Sequence, residues 1–240
     1  MPLFLVPTPI GNLGDITLRA LEVLKSADVI AAEDTRHSGH LLHHFNIAKP
    51  LVSYHEHNEA RRTQELLERL RHGETVAIIS DAGMPGISDP GARILAACIE
   101  ERLPYSVLPG PSAVITALIG SGFPADSFFY GGFLPPKSGG RERDLATAAA
   151  RQETSVFYES PHRLCKTLEA ATRTLGDRLL CVARELTKTF EEYRIGTAAE
   201  LLAHYDAHPP KGEITLLIRG LSAREWREKH RDGEATTPSQ

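Results

Sequence analysis

Thr75-Val76-Ala77-Ile78-Ile79-Ser80-Asp81-Ala82-Gly83-Met84-Pro85-Gly86-Ile87-Ser88-Asp89-Pro90-Gly91 decides the fold class. Four apolar residues run without a polar break, the mark of a short strand covered on both faces, as in a parallel sheet. Glycines and two carboxylates follow at once, at the strand end where α/β sheets place ligands. Asp81, at the strand tip, suits a ribose hydroxyl or a cationic group. Asp89 before Pro90 reads as a helix N-cap, with Pro90 at the first helical position.

The same alternation extends on either side. Strands are expected at Leu3–Thr8, Asp28–Ala32, Leu51–Tyr54, Thr75–Ser80 and Tyr105–Leu108. Helices are expected at Thr17–Lys25, Ser38–Phe45, Asn58–Arg71 (Asn58 as N-cap), Pro90–Glu101 and Pro111–Gly120. Such βα units imply a mostly parallel sheet with helices on both faces. Gly120–Pro124 reads as a boundary, after which a second series begins. Its strands are Ser127–Gly131, Ser155–Tyr158, Leu179–Ala183, Tyr193–Gly196 and Glu213–Ile218, and its helices Gly140–Arg151, Pro161–Leu175 and Thr197–His204. A hairpin across Thr187–Glu192 makes the second sheet mixed. The class is therefore α/β with two lobes, residues 1–120 and 121–220, and a polar tail, 221–240, read as a short helix fraying into disorder.

Composition narrows the function. The 240 residues carry 27 Lys+Arg against 31 Asp+Glu, a net charge of -4, with 41% hydrophobic and 24% charged residues. That is an ordinary globular balance and excludes collagen, coiled coil and intrinsic disorder. No apolar run approaches the ~20 residues of a membrane span, and no secretory leader is read at the start. Cys98, Cys165 and Cys181 are odd in number and widely spaced, which fits buried thiols in a reducing cytoplasm rather than disulfides. The slightly acidic total argues against indiscriminate nucleic-acid coating but leaves room for a local basic surface.

Several loops carry chemistry. Pro7–Asp15 follows the first strand, but Gly11 and Gly14 lack the third glycine of a dinucleotide fingerprint, and no Gly-Lys-Ser/Thr phosphate loop is present. Leu108–Ala113 leads into a helix whose free N–H groups suit a carboxylate. Glu33-Asp34-Thr35-Arg36, Glu159-Ser160-Pro161-His162-Arg163, Arg184–Lys188 and Lys211-Gly212-Glu213 each pair a carboxylate with a cation near a strand end. Such pairs serve equally as surface ion pairs, phosphate guides or proton carriers. Pro135–Arg143 reads as a flexible basic loop that is either solvated or clamps RNA phosphates through Lys137, Arg141 and Arg143. His40, His43 and His44 share a helical face, yet no acidic third ligand comes with a signature. A polar face is preferred there, and no metal is expected.

Together Val6–Asp15, Ala32–Arg36, Ser80–Gly91, Leu108–Ala113, Gly132–Lys137, Glu159–Arg163 and Arg184–Lys188 resemble the bacterial small-subunit ribosomal RNA 2'-O-methyltransferases of the tetrapyrrole (corrin/porphyrin) methylase superfamily. The match runs in order over residues 3–220. The resemblance implies two α/β lobes with S-adenosylmethionine bound in the cleft between them, a cytoplasmic homodimer, and methylation of a cytidine ribose in the decoding region of 16S rRNA within the 30S subunit. Cofactor contacts are then expected from Pro9, Gly11, Asp81, Ala82, Gly83, Met84, Pro85, Pro109, Gly110, Pro111, Ser112, Ala113, Gly212 and Thr215. RNA contacts are expected from Arg36, Lys137, Arg141, Arg143, Arg163 and Arg184. A ribose hydroxyl needs a proton acceptor or a stabiliser of the alkoxide. Glu33, Asp34, Glu159, His162, Glu185 and Lys188 are candidates, with Glu185, Lys188 and His162 preferred. Family members often continue several dozen residues further in a small helical region; if that region helps hold RNA in relatives, RNA is expected to be gripped otherwise here, or with more help from the dimer. Two other readings stay open: methylation of a tetrapyrrole on the same fold, and non-catalytic RNA binding.

Overall fold

A computed structural model describes residues 2–230, which form ten strands and nine α-helices. The chain divides into two compact units, Met1–Ala113 and Val114–Gln240.

In the first unit β1 (Leu3–Leu5), β2 (Val29–Ala32), β3 (Leu51–Ser53), β4 (Val76–Ile79) and β5 (Tyr105–Val107) form one sheet of order β3-β2-β4-β1-β5. Every pairing is parallel. β2 and β4 are buried at every residue, as the unbroken apolar runs require. Successive side chains point to opposite faces. Val29, Ala31, Val76 and Ile78 therefore pack with Leu66, Leu67 and Leu70 of α3 (Glu59–Arg71) and with Ile94 and Cys98 of α4 (Ala92–Glu100). Ile30, Ala32, Ala77 and Ile79 pack with Ala20, Val23 and Leu24 of α1 (Leu18–Ser26) and with Leu42 of α2 (Thr35–His44). Each large apolar side chain buried this way contributes about 1.5–3 kcal/mol. Because the strands run one way, the loops after β1, β2, β4 and β5 gather along one edge of the sheet.

Helix starts in the first unit show how local signals were redirected. α2 begins at Thr35, since Asp34 caps it by accepting from the Arg36 N–H at 2.8 Å. Asn58 stands at the N-cap of α3 but does not cap it; its Oδ1 accepts from the His55 N–H at 2.9 Å, and its amide reaches back to Ser53. α4 begins at Ala92 behind Gly91, so Asp89 is not a cap and Pro90 is not in the helix.

In the second unit β6 (Phe128–Phe133), β7 (Thr154–Glu159), β8 (Leu179–Arg184), β9 (Glu192–Thr197) and β10 (Ile214–Ile218) have the order β6-β7-β10-β8-β9. Only β6 and β7 pair in parallel; the other neighbours are antiparallel, and β8–β9 is the expected hairpin. α6 (Ser138–Ala149), α7 (Leu164–Leu175) and α8 (Ala198–Ala207) cover the face carrying Phe157, Val182 and Leu216. Thr197 and Glu200 close a reciprocal capping box on α8.

The division falls ahead of Gly120, where the sequence suggested a boundary, because α5 (Ala113–Gly120) packs with the second unit. Tyr193 on β9 donates to the Thr116 carbonyl at 3.5 Å, and its ring lies 2.2 Å from where a Cβ on Gly120 would be, so only glycine fits. The tail does start as a helix, α9 (Ala223–His230); the fraying expected beyond it falls outside the described residues. Among the described residues no helix is long and apolar enough to cross a membrane.

Candidate active site

The first unit's rim is built on a lock between two loops. Thr8 and Gly83 exchange backbone hydrogen bonds at 2.9 and 3.0 Å. The buried Thr8 hydroxyl donates to the Ser80 carbonyl at 3.0 Å, and the Ser80 hydroxyl to that of Gly83 at 3.0 Å. The amide and carbonyl of Gly83 are thus committed within the chain, and Gly83 shapes the rim rather than offering its peptide groups. Pro9 is buried with Thr8, while Gly11 is exposed. Pro109 and Gly110 are exposed at the end of β5, with Gly110 against the Pro7 ring. Pro111 and Ser112 precede α5, which starts at Ala113 instead of Pro111.

Carboxylates gather on this rim. Asp81 accepts from the Asp34 N–H at 3.1 Å, tying the end of β4 to the end of β2. Asp89 lies in a loop closed by a 3.2 Å bond from the Gly86 N–H to the Pro90 carbonyl, with Ser88 at φ 62. Burial, then the charges of Glu33 and Asp81, pushes the Asp89 carboxyl up to about 7. Burial and Asp81 likewise raise Glu33, against a smaller opposing pull from His55. Asp34 behaves oppositely: its hydrogen bonds with Arg36 hold it down to about 2. Among the described residues no three His, Cys, Asp or Glu side chains group so as to hold a metal ion.

In the second unit the registers Ile214↔Glu159 and Ile214↔Arg184 bring the ends of β7 and β8 and the start of β10 to one edge. Lys188 there donates to Glu185 at 2.9 Å and to Glu213 at 2.8 Å. Burial pulls the ammonium down, but the two carboxylates outweigh it and hold Lys188 above the usual lysine range. The Lys188 hydrogen bond, against burial, keeps Glu185 below the usual carboxylate range. Glu185 also accepts from the Glu213 N–H at 3.1 Å. Lys188 is therefore a fixed cation and Glu185 a fixed anion. Glu213, from the Lys211-Gly212-Glu213 loop, completes this group, although the catalytic candidates did not include it. His162, after β7, is exposed, and its backbone N–H donates to the Ser160 hydroxyl at 3.3 Å. Thr215 is buried in β10.

Glu159 is an anchor rather than a free base. Its buried carboxylate accepts from Thr167 at 2.5 Å and the Ser160 N–H at 2.7 Å, and pairs with Arg163 at 2.7 Å. Arg163 is thereby engaged internally, and so is Arg184, which pairs with Glu192 at 3.1 Å and donates to the Lys211 carbonyl. Both were expected to face RNA. Arg36 is 90% exposed while paired with Asp34. The basic loop at Pro135–Arg143 is in large part the first turn of α6: Lys137 and Arg143 are exposed, whereas Arg141 is buried with its guanidinium turned back to the Pro136 carbonyl.

Two α/β units with ligand-type loops at their strand ends lead to a comparison with known proteins. Residues 2–202 match the Tetrapyrrole (Corrin/Porphyrin) Methylases. The chain belongs to this methylase family. Within it, the chain is 50% identical over 221 residues to "Ribosomal RNA small subunit methyltransferase I" of Synechocystis sp., covering 92% of this chain and 79% of that one. The protein of the same name from Bacillus subtilis is 45% identical over 235 residues, covering 98% and 80%. Among solved methylase structures, uroporphyrin-III-C-methyltransferase from Thermus thermophilus matches with TM-score 0.64 and 24% identity, over 90% of this chain and 93% of that one. Diphthine synthase matches with TM-score 0.67 at 12% identity, over 97% and 95%. These two likenesses concern the tetrapyrrole methylase fold alone.

Proposed function

We propose that this methyltransferase moves a methyl group from S-adenosylmethionine to the 2'-oxygen of a cytidine ribose in the decoding region of 16S rRNA, acting on the 30S subunit as a cytoplasmic homodimer. The observation that carries the reading is the 45–50% identity, across nearly the whole chain, to proteins named for methylating small-subunit ribosomal RNA. Exposed Ile115 and Ile119, one turn apart on α5, supply an apolar stripe suited to a second copy.

The first unit's rim fits a cationic cofactor. Glu33, Asp81 and Asp89 repel one another, and a positive ligand relieves that repulsion. Asp81, Ala82, Met84 and Pro85 on one loop and Pro109 to Ala113 on the other would hold it. S-adenosylmethionine, when bound, supplies a methyl group already activated on sulfur. The chain's own task is to align the ribose oxygen and manage its proton. Lys188 is permanently charged and aimed by Glu185 and Glu213, so it stabilises negative charge developing on that oxygen. Glu185, held as an anion, positions Lys188. His162 is the side chain assigned to accept the proton.

The test is methyl-labelled S-adenosylmethionine incubated with 30S particles, with tetrapyrrole precursors, or with neither. Label is expected in RNA. Label in the tetrapyrrole moves the chain to small-molecule methylation, and none in any arm leaves a non-catalytic binding protein.

A further inference from the structure

The start of α6 carries positive charge that no carboxylate pairs with among the described residues. Arg141 is only 7% exposed. Its guanidinium donates to the Pro136 carbonyl at 3.3 Å, its Nε is buried with no partner, and no carboxylate pairs with it among the described residues. A buried guanidinium without an anion is costly, and its Nε–H has no acceptor. The Pro136 bond places this head group beside the helix start. There Lys137 occupies the N-cap without a side-chain cap, and the first turn, Ser138-Gly139-Gly140, contains no acidic residue. Its N–H groups and the helix dipole add to the same unmet demand for an anion. A Cβ at Gly139 would meet nothing within 4 Å, so the approach is open. Lys137 is exposed alongside.

We infer that the N-terminus of α6 is a phosphate site, held by its first-turn N–H groups, Arg141 and Lys137, and filled by a phosphodiester of the RNA substrate. The inference rests on the RNA reading for the source of the phosphate, not for its chemistry. Helix starts with flanking cations hold phosphate in this way. Such a contact fixes the register of an RNA strand without reading its bases.

Gly139→Asp tests this without threatening the fold, because it places a carboxylate in open space at a helix start. The variant should melt at a higher temperature than the natural chain yet bind an RNA oligonucleotide roughly tenfold more weakly, the worth of charge-assisted bonds to one phosphate. The slope of log affinity against log salt should shrink by about one. Arg141→Gln should lose affinity and slope alike, and inorganic phosphate should raise the melting temperature of the natural chain but of neither variant. Retention of affinity and slope in Gly139→Asp overturns the inference while leaving the proposed function standing. Phosphate protection without RNA binding by the natural chain supports the site and overturns the RNA reading. Neither phosphate protection nor RNA binding overturns both.

Discussion

The carboxylate of Glu185 fills the space that a side chain on Gly212 would need: a Cβ there would lie 2.1 Å from Glu185 Oε1. Gly212 also sits at φ 82, where side-chain-bearing residues are strained. Gly212→Ala should therefore push Glu185 away from Lys188 and add about 1–2 kcal/mol of backbone strain. Turnover should fall sharply while calorimetric affinity for S-adenosylmethionine changes little. Unchanged turnover would mean that the Glu185 position does not matter to the reaction.

Lys188 is the cation this arrangement serves. Lys188→Met should lower kcat about 100-fold or more, the usual cost of losing a charge stabiliser at a reacting oxygen. Lys188→Arg should recover part of the loss. Single-turnover methylation of 30S particles reads both, and a kcat within threefold of the natural chain in the Met variant would remove Lys188 from the chemistry.

The acidic rim makes stability depend on pH in a defined direction. Asp89 ionises near 7 in the folded chain and near 4 when unfolded, so the folded state retains a proton that the unfolded state has released. Its contribution to stability falls as pH rises from about 4 to about 7 and is level above that. Melting temperatures of Asp89→Asn and the natural chain should coincide near pH 4, separate in favour of the variant up to pH 7, and run parallel beyond. Affinity for S-adenosylmethionine should strengthen from pH 6 to 8 in the natural chain only. A constant gap in melting temperature would show that Asp89 titrates normally.

Arg163 and Arg143 contrast a cation paired within the chain with one at an exposed position. Its partner Glu159 is 3% exposed, and removing one member of a buried pair typically costs about 3 kcal/mol. Arg163→Met should lower the urea midpoint clearly, while Arg143→Met, at an exposed position, should leave it unchanged. Equal midpoints would return Arg163 to the list of surface RNA contacts.

Much of the architecture could be read from residue patterns. Val76–Ile79 and Val29–Ala32 are apolar on both faces, which only a covered parallel sheet accommodates, and the glycine-rich loops after them fall at strand ends. Misreadings arose where tertiary contact overrode local preference. Asp89-Pro90 has the local form of a helix start, but the loop closes on itself through Gly86 and Pro90 and delivers Asp89 to other carboxylates. Asn58 spends its side chain on the preceding turn instead of the helix. The α5 boundary depends on Tyr193, more than seventy residues away, which no local pattern reveals. Arg141 looked like its neighbours Lys137 and Arg143 because charge alone does not say which side of a helix is covered.

Nucleoside composition tests the central claim most directly. Small-subunit RNA from particles lacking the modification, incubated with the chain and S-adenosylmethionine and then digested to nucleosides, should contain 2'-O-methylcytidine by mass spectrometry. Its absence, or a methyl group on a base instead of the ribose, would contradict the account.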